Sequence, residues 1–537
     1  MSESKVPVID VGGEQEDVYG SRDGIRNGDD DGAGEYTQQD KVDMSRMGKI
    51  QELRRSYKGF EALAFTVILQ GVWEVLLTAS YQGLINGGPA GLIWSFIWTW
   101  FGMSTVILSL AEMASIAPTA GGQYHWVSEF SPSRVQKPLS YFIGWMSTLS
   151  WQAGTASGPF LVGTLIQASV IAARPEYEPT NWQGTLMVVG VTLLVWVSNV
   201  YAVRWMPMFQ NVMLVFHVLG FVVIVVIFWV LSPSPRATAR DTFLEFPESK
   251  YSTVGLSLMV GQISAIYACI CSDSSAHISE EISSASTTVP KTIVYSYLMN
   301  GIIGLVFVVS YAFTFATPSV LESALNDPTG YPHIYIFQQA LGSKALVVLV
   351  NMIPIILIFA GTLTFTLSTS RQTWAFARDK GLPFSSWVSQ VDKKRKVPVN
   401  AVTLTCGITI LLSLVNIGSD VAFNAIISLN VVSLMLTYIV SIGSVLWKRT
   451  TSSGTMVEGK WKLGKWGVWV NILGLAYSIH AFFWCFWPEE PDVGLETFNW
   501  AVVMFLGVGA LCWVDYLVRG RKEYKGPVVL VEGYKGE

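Results

Sequence analysis

Charge is scarce in this sequence. Asp, Glu, Lys and Arg make up 14% of its 537 residues, against roughly 25% in ordinary soluble domains. So few charges cannot cover the surface of a water-soluble chain of this length. Cysteine is scarce too, with five residues. Cys269, Cys271, Cys406, Cys485 and Cys512 fall mostly inside apolar runs, which suits small core residues and not a disulfide framework. A closed zinc site needs about four ligands, and Cys269 with Cys271 supplies two, so no metal is expected. No Asn-x-Ser/Thr sequon occurs. A Gly-x4-Gly-Lys-Ser/Thr loop is missing, which argues against an ATP-driven pump. No Ser/His/Asp set and no cofactor motif is present, so neither an enzyme nor a bound cofactor is expected. The formal net charge of −4 leaves no basic footprint for a nucleic acid.

Apolar residues are abundant instead. They reach 51%, with 21 Trp, 20 Tyr and 27 Phe. The mean hydropathy is +0.42. A bilayer core is about 30 Å thick, so a spanning helix needs roughly 20 mostly apolar residues. Twelve runs qualify, near 60–85, 91–111, 138–172, 184–203, 207–231, 253–275, 293–316, 345–370, 398–416, 421–446, 467–487 and 498–518. The lipid bilayer is thus an expected partner. The first 58 residues hold no apolar run of signal-peptide length, so the first span is expected to direct insertion.

Lys and Arg mark the cytoplasmic side. With the N-terminus inside, only Arg174, Arg236, Arg240, Lys250 and Lys344 of the 35 fall outside. That asymmetry predicts an even number of spans with both termini cytoplasmic. Residues 1–58 read as a disordered acidic tail, carrying Asp29, Asp30, Asp31 and scattered glycines. Lys5, Lys41 and Lys49 are candidate modification sites there, and the tail offers a platform for cytoplasmic regulators. The expected organisation is that tail, a core of ten spans over 59–447, two further spans over 448–518, and a cytoplasmic tail over 519–537.

Two spans look broken. The first carries Gln70, Gly71 and Glu74 in mid-run, and the sixth turns polar over Cys271, Ser272, Asp273, Ser274 and Ser275. Such residues are costly in lipid unless they face a cavity. Transporters place binding sites where helices break at the midplane. The sixth span lies five helices after the first, so the two halves would be inverted copies.

Three motifs then carry a resemblance. Leu110, Glu112, Pro118, Gly121, Gly122, Gln123 and Tyr124 stand as in the second-span signature of the amino acid–polyamine–organocation transporter superfamily. Ser279, Glu280 and Glu281, followed by Val289, Pro290 and Lys291, resemble its sixth-span exit. Ser370 and Arg371, then Ala377 through Pro383, resemble its eighth-to-ninth loop, and Pro398 opens the ninth span. The stretch Gly87 to Trp94 is similar to the fungal amino acid/choline permease branch, which includes GABA permeases. The resemblance implies an all-α membrane fold with a five-plus-five inverted repeat and two extra helices. It also implies a central site between spans 1, 3, 6, 8 and 10, alternating access, and commonly proton-coupled uptake of a small amine or amino acid. Alternatives stay open: movement of an amine natural product or its precursor, or a transporter-like nutrient sensor. The sequence carries no address that separates plasma membrane, the expected location, from vacuole.

The family's amino-acid members usually carry Gly-x-Gly in span 1, where free amides hold a substrate carboxylate. Here one glycine, Gly71, stands between Gln70 and Val72, which favours choline, GABA or another amine. Candidate substrate-binding residues are Gln70, Gly71, Trp73, Glu74, Tyr267, Cys271 and Asp273. An aromatic face attracts a quaternary ammonium, and Trp73 and Tyr267 flank the two breaks, with Trp145 and Trp151 as further aromatics. Proton-coupling candidates are Glu74, Asp273 and His217, because histidine as a residue type exchanges protons near neutral pH. Glu112, Glu280, Glu281 and Arg371 are gate candidates at the cytoplasmic ends of spans 2, 6 and 8. Arg371 and Arg378 are expected to pair with those glutamates.

Overall fold

The computed structural model describes residues 37–233, 236–247, 251–415, 422–451, 458–488, 490–495 and 497–527. Lys5 and the acidic run at 29–31 lie outside them. In chain order the helices are α1 (Gln38–Arg46), α2 (Gly59–Gln70), α3 (Val72–Thr78), α4 (Tyr81–Ile116), α5 (Gln123–Phe130), α6 (Ser133–Ala173) and α7 (Asn181–Tyr201). There follow α8 (Met206–Val226), α9 (Ala239–Leu244), α10 (Val254–Gly261), α11 (Ile263–Cys269), α12 (Ser274–His277), α13 (Ala285–Ala312) and α14 (Pro318–Leu325). The last are α15 (Pro332–Leu341), α16 (Lys344–Arg378), α17 (Ser385–Val388), α18 (Val399–Leu414), α19 (Ala422–Thr451), α20 (Gly467–Trp484) and α21 (Ala501–Asp515). Among the described residues the only β pairing is one isolated parallel bridge between Tyr57 and Ile282.

Ten helical stretches among the described residues are long and apolar enough to cross a bilayer. Two shorter ones, Val254–Cys269 and Val399–Leu414, occupy the sixth and ninth of the twelve expected runs. The sixth is short because it is interrupted. The ninth ends at Leu414 after 16 residues, which rise only about 24 Å. The protein is a multi-pass membrane protein. Its outermost helices turn large apolar side chains outward, such as Leu506, Leu511 and Val518 on and after α21, and Val215, Leu219 and Val222 on α8.

The chain breaks where its sequence has no other solution. Gly71 ends α2 and starts α3 with φ 43° and ψ 54°, a left-handed conformation that glycine adopts without a steric penalty. In α4, Gly88 at φ 61° precedes Pro89 and kinks the helix, because proline removes an amide and disfavours helix in the residue before it. The sixth span unwinds over 270–273, between α11 and α12. Cys271 sits there at φ 68°, a region that a non-glycine residue seldom enters.

Inside lipid there is little hydrophobic drive between helices, so close approach of small residues does much of the work. The long α6 packs against α16 and α19. A Cβ on Gly158 would lie 2.4 Å from the Thr362 hydroxyl of α16, and one on Gly154 would lie 2.5 Å from Asn430 of α19. These glycines let three helices meet around one small space.

The expected disordered tail is folded over its described part. Thr37 caps α1 by accepting the Asp40 amide at 3.2 Å. Asp40, Met44 and Met47 are buried. Composition missed this because the segment's few apolar residues, Met44, Met47, Leu53 and Tyr57, are spread among polar ones and form no run. The segment is held by these buried side chains and by polar contacts to distant parts of the chain.

Candidate functional site

A cavity of about 70 Å3 lies at the two breaks. Its walls come from Gln70, Gly71 and Glu74, from Ser157 and Gly158 of α6, and from Tyr267 and Cys271 at the second break. Gly361, Thr362 and Phe365 of α16 and Asn430 of α19 complete it. These are runs one, three, six, eight and ten. A wider vestibule of about 590 Å3 lies beyond it, away from the N-terminal segment, lined among others by Thr78, Gln82, Phe160, Tyr331 and Trp484. Tyr267 lines both spaces. Its hydroxyl and that of Ser157 are 2.7 Å apart. Ser157 gives its proton to the Gly154 carbonyl at 2.7 Å, so Tyr267 is the donor of this thin partition.

The break at Gly71 leaves polar groups free. Helix α3 starts at Val72, so the amides of Val72, Trp73 and Glu74 precede its first internal bond, from Val75 to the Gly71 carbonyl at 2.9 Å. Gln70 donates to the Ile270 carbonyl at 3.4 Å and accepts from Asn300 of α13 at 3.1 Å, which ties the two breaks together. Glu74 is buried, and its Oε1 lies 2.6 Å from Nδ1 of His217 on α8. Among the described residues Glu74 Oε2 and His217 Nε2 have no hydrogen-bond partner. A Cβ on Gly71 would lie 3.3 Å from that Oε2. Gly71→Leu is therefore expected to keep the protein in the membrane and stop uptake. The left-handed backbone costs about 1–2 kcal/mol, which folding tolerates, whereas the added side chain fills the cavity beside Glu74. Uptake in cells with matched surface expression checks this.

Two expected substrate contacts fall elsewhere. Trp73 is fully buried and packs against His217, ring centres 6.0 Å apart, and Phe307 at 5.8 Å. One residue along a helix is a turn of about 100°, so the face that presents Glu74 to the cavity carries Trp73 away from it. Asp273 is not in the cavity wall. It accepts from the Tyr438 hydroxyl of α19 at 2.6 Å and from Gln123 of α5. His277 Nε2 stands 3.9 Å from it. His277 donates through Nδ1 to the Ala120 carbonyl at 2.9 Å and packs edge-on against Trp151 at 4.6 Å. Asp273 thus clamps the second break to the Gly121-Gly122-Gln123 turn.

Buried ion pairs gather at the end of the bundle nearer the N-terminal segment. Arg371 Nε meets Glu281 at 2.6 Å with both side chains buried. Arg378 binds Glu280 through two nitrogens at 2.8 and 2.9 Å, the fork geometry that suits a carboxylate. Glu112 departs from the expected pairing. It binds Arg449 and accepts the Leu463 amide at 2.9 Å, because α4 carries it to the end of α19 and not of α16. Lys49 pairs with Asp379. Burial opposes the Asp379 charge, but Lys49 and Arg378 outweigh it and hold the carboxyl below its ordinary range. With a depressed value, that pair's stabilisation is present above the unfolded carboxylate range and is lost as pH falls through the folded one.

Sequence reasoning missed Gln123 as a partner of Asp273, although it lies in a quoted motif. It also missed Ser157, Asn300, Thr362, Phe365, Asn430 and Tyr438. These are neutral residues in apolar runs, and nothing local sets them apart.

A profile of the amino acid permease family matches residues 62–509. The chain belongs to the amino acid permease family. An uncharacterized amino-acid permease of Schizosaccharomyces pombe is 28% identical over 484 residues, covering 89% of this chain and 88% of that one. A choline transporter of Saccharomyces cerevisiae is 25% identical over 473 residues, 88% and 83% of the two chains. Amino-acid permease 2 of Neurospora crassa is 25% identical over 494 residues, 90% and 88%. This permease is a membrane transporter of a small molecule, not an enzyme.

Proposed function

We propose that this permease is a proton-coupled secondary transporter of a small amine or amino acid, working by alternating access. The observation that carries the reading is the buried Glu74–His217 pair beside the cavity at the first break. A buried carboxylate and imidazole in contact form a site that holds or gives up one proton. The partner-free Glu74 Oε2 faces where a substrate ammonium would sit. Among the described residues no Lys or Arg lines the cavity, so a positive group is favoured there over a bare anion. A zwitterion would place its carboxylate at the amides that open α3. Tyr267 and Phe365 offer π faces for a quaternary ammonium. The name of the choline-transporting relative agrees with that chemistry. Choline, GABA and related amines are the first substrates to test.

The same reading makes the first five and second five spans inverted repeats, with the two breaks in equivalent places. The Lys/Arg asymmetry supports both termini being cytoplasmic, and the plasma membrane is the proposed location. The ion-paired end is then the closed inner side, and the vestibule opens outward.

The test is uptake of labelled choline, GABA and an amino-acid panel in cells lacking their own permeases, at pH 5 and pH 7.5, with and without a protonophore. Accumulation of one compound that collapses with the protonophore is expected. Surface-expressed protein that accumulates none of them defeats the reading. His217→Ala is expected to flatten the dependence of uptake on external pH. An unchanged profile would return His217 to packing.

A further inference from the structure

The segment before α2 is bound to the backbone of the closed end. Asp40 accepts the amides of Ser284 at 3.1 Å and Ala285 at 3.3 Å. Those amides open the 28-residue α13, where a carboxylate is favoured by the helix dipole. Ser284 holds a left-handed backbone at φ 52° just there. Arg55 stands 3.1 Å from Asp40 and donates to the Ser279 carbonyl at 3.3 Å and to the Ile282 carbonyl. Gln51 donates to the Glu280 carbonyl at 2.6 Å. The amides of Ser56 and Tyr57 both donate to the Glu281 carbonyl, at 2.9 and 3.0 Å, and the Ser283 amide returns to Tyr57 at 2.9 Å. Lys49 adds its bond to Asp379, next to Arg378.

Glu280 and Glu281 are therefore held twice. Their carboxylates bind Arg378 and Arg371 of α16, and their carbonyls bind the N-terminal segment. Carboxylate tips alone would let the 279–285 backbone drift while the ion pairs flex. Backbone hydrogen bonds on the other face remove that freedom. The segment also buries Met44, Met47, Leu53 and Tyr57, and its hydrogen bonds to 279–285 fall on a stretch that moves if this end opens.

We infer that residues 37–57 are a strap that holds the inner gate shut, with Asp40 and Arg55 as its positioning residues, and that each transport cycle releases it. The inference rests on the alternating-access reading above, but its test does not need flux. Cys271 lines the cavity and is a free thiol, so it reports access from either side. In inside-out membrane vesicles, a charged methanethiosulfonate reagent should label Cys271 slowly in the parent protein. Asp40→Asn and, separately, Lys49→Gln should raise that rate about tenfold, the size of one lost charge-assisted bond. The increase should vanish in a Cys271→Ala background. Labelling from the vestibule side should fall in the same variants. If Asp40→Asn does not reach the membrane, Lys49→Gln decides alone. Parent-like Cys271 labelling in folded variants overturns the strap, since a merely structural role would change protein amount and not access. Faster labelling in a protein that moves no tested substrate would keep the strap and sink the transport reading.

Discussion

Glu74→Gln is expected to abolish accumulation of substrate while protein at the surface stays at the parent level. Glutamine keeps the shape and one carbonyl oxygen 2.6 Å from His217. It loses the charge, and with it the proton exchange proposed for the pair. A hydrogen bond to a charged group contributes about 1.5–3 kcal/mol, which is roughly 10- to 100-fold in affinity for an ammonium. The larger effect is on coupling. Without a group that changes charge in the site, a substrate without net charge such as GABA equilibrates across the membrane and does not concentrate, whereas a cation such as choline still follows the membrane potential. Uptake of GABA should stop at the equilibrium level and become indifferent to a protonophore. Exchange of labelled for unlabelled substrate should survive at high concentration. Full accumulation in Glu74→Gln would remove the carboxylate from the mechanism and leave Asp273 and His277 as the next acid–imidazole pair to test.

The second large effect is expected at Arg371. Its guanidinium and the Glu281 carboxylate are both buried, with 2.6 Å between them. Such a pair is a poor source of net stability, yet removing one member leaves a buried charge alone at a cost of about 3–5 kcal/mol. Arg371→Gln should therefore open the inner end or unfold it locally, shifting the gate by at least about a hundredfold. Efflux from preloaded vesicles should accelerate, and apparent affinity from the vestibule side should fall. The double variant Arg371→Gln with Glu281→Gln removes both charges and should recover much of the loss. That non-additivity measures the coupling between the two residues. If the two single effects simply add, the residues act apart and the pair is not the gate.

Sequence alone carried this chain a long way on the coarse questions. Scarce charge and twelve apolar runs dictate a membrane protein, because hydrocarbon tolerates little else over roughly 20 residues. The breaks were legible for the same reason. Gln70, Gly71 and Glu74 in one run, and Cys271 to Ser275 in another, are too costly in lipid to be accidental. Glu280, Glu281 and Arg371 were legible as charged residues at helix ends, where they form buried ion pairs. All of these are local properties of single segments.

The partners of those residues were not local. His217 meets Glu74 across 143 positions, and Tyr438 meets Asp273 across 165. Neither spacing leaves a trace in a periodicity. Trp73 and Asp273 were drawn to the cavity by nearness in sequence, and helix rotation turned one into the core while a turn from α5 and a tyrosine from α19 captured the other. The strap was hidden for a related reason. Its residues look like a solvated tail until the 279–285 backbone offers unpaired amides and carbonyls to bind. Cost in lipid is written residue by residue, so it can be read along the chain. Who satisfies a buried polar group depends on which helices meet, and that is settled when the bundle packs.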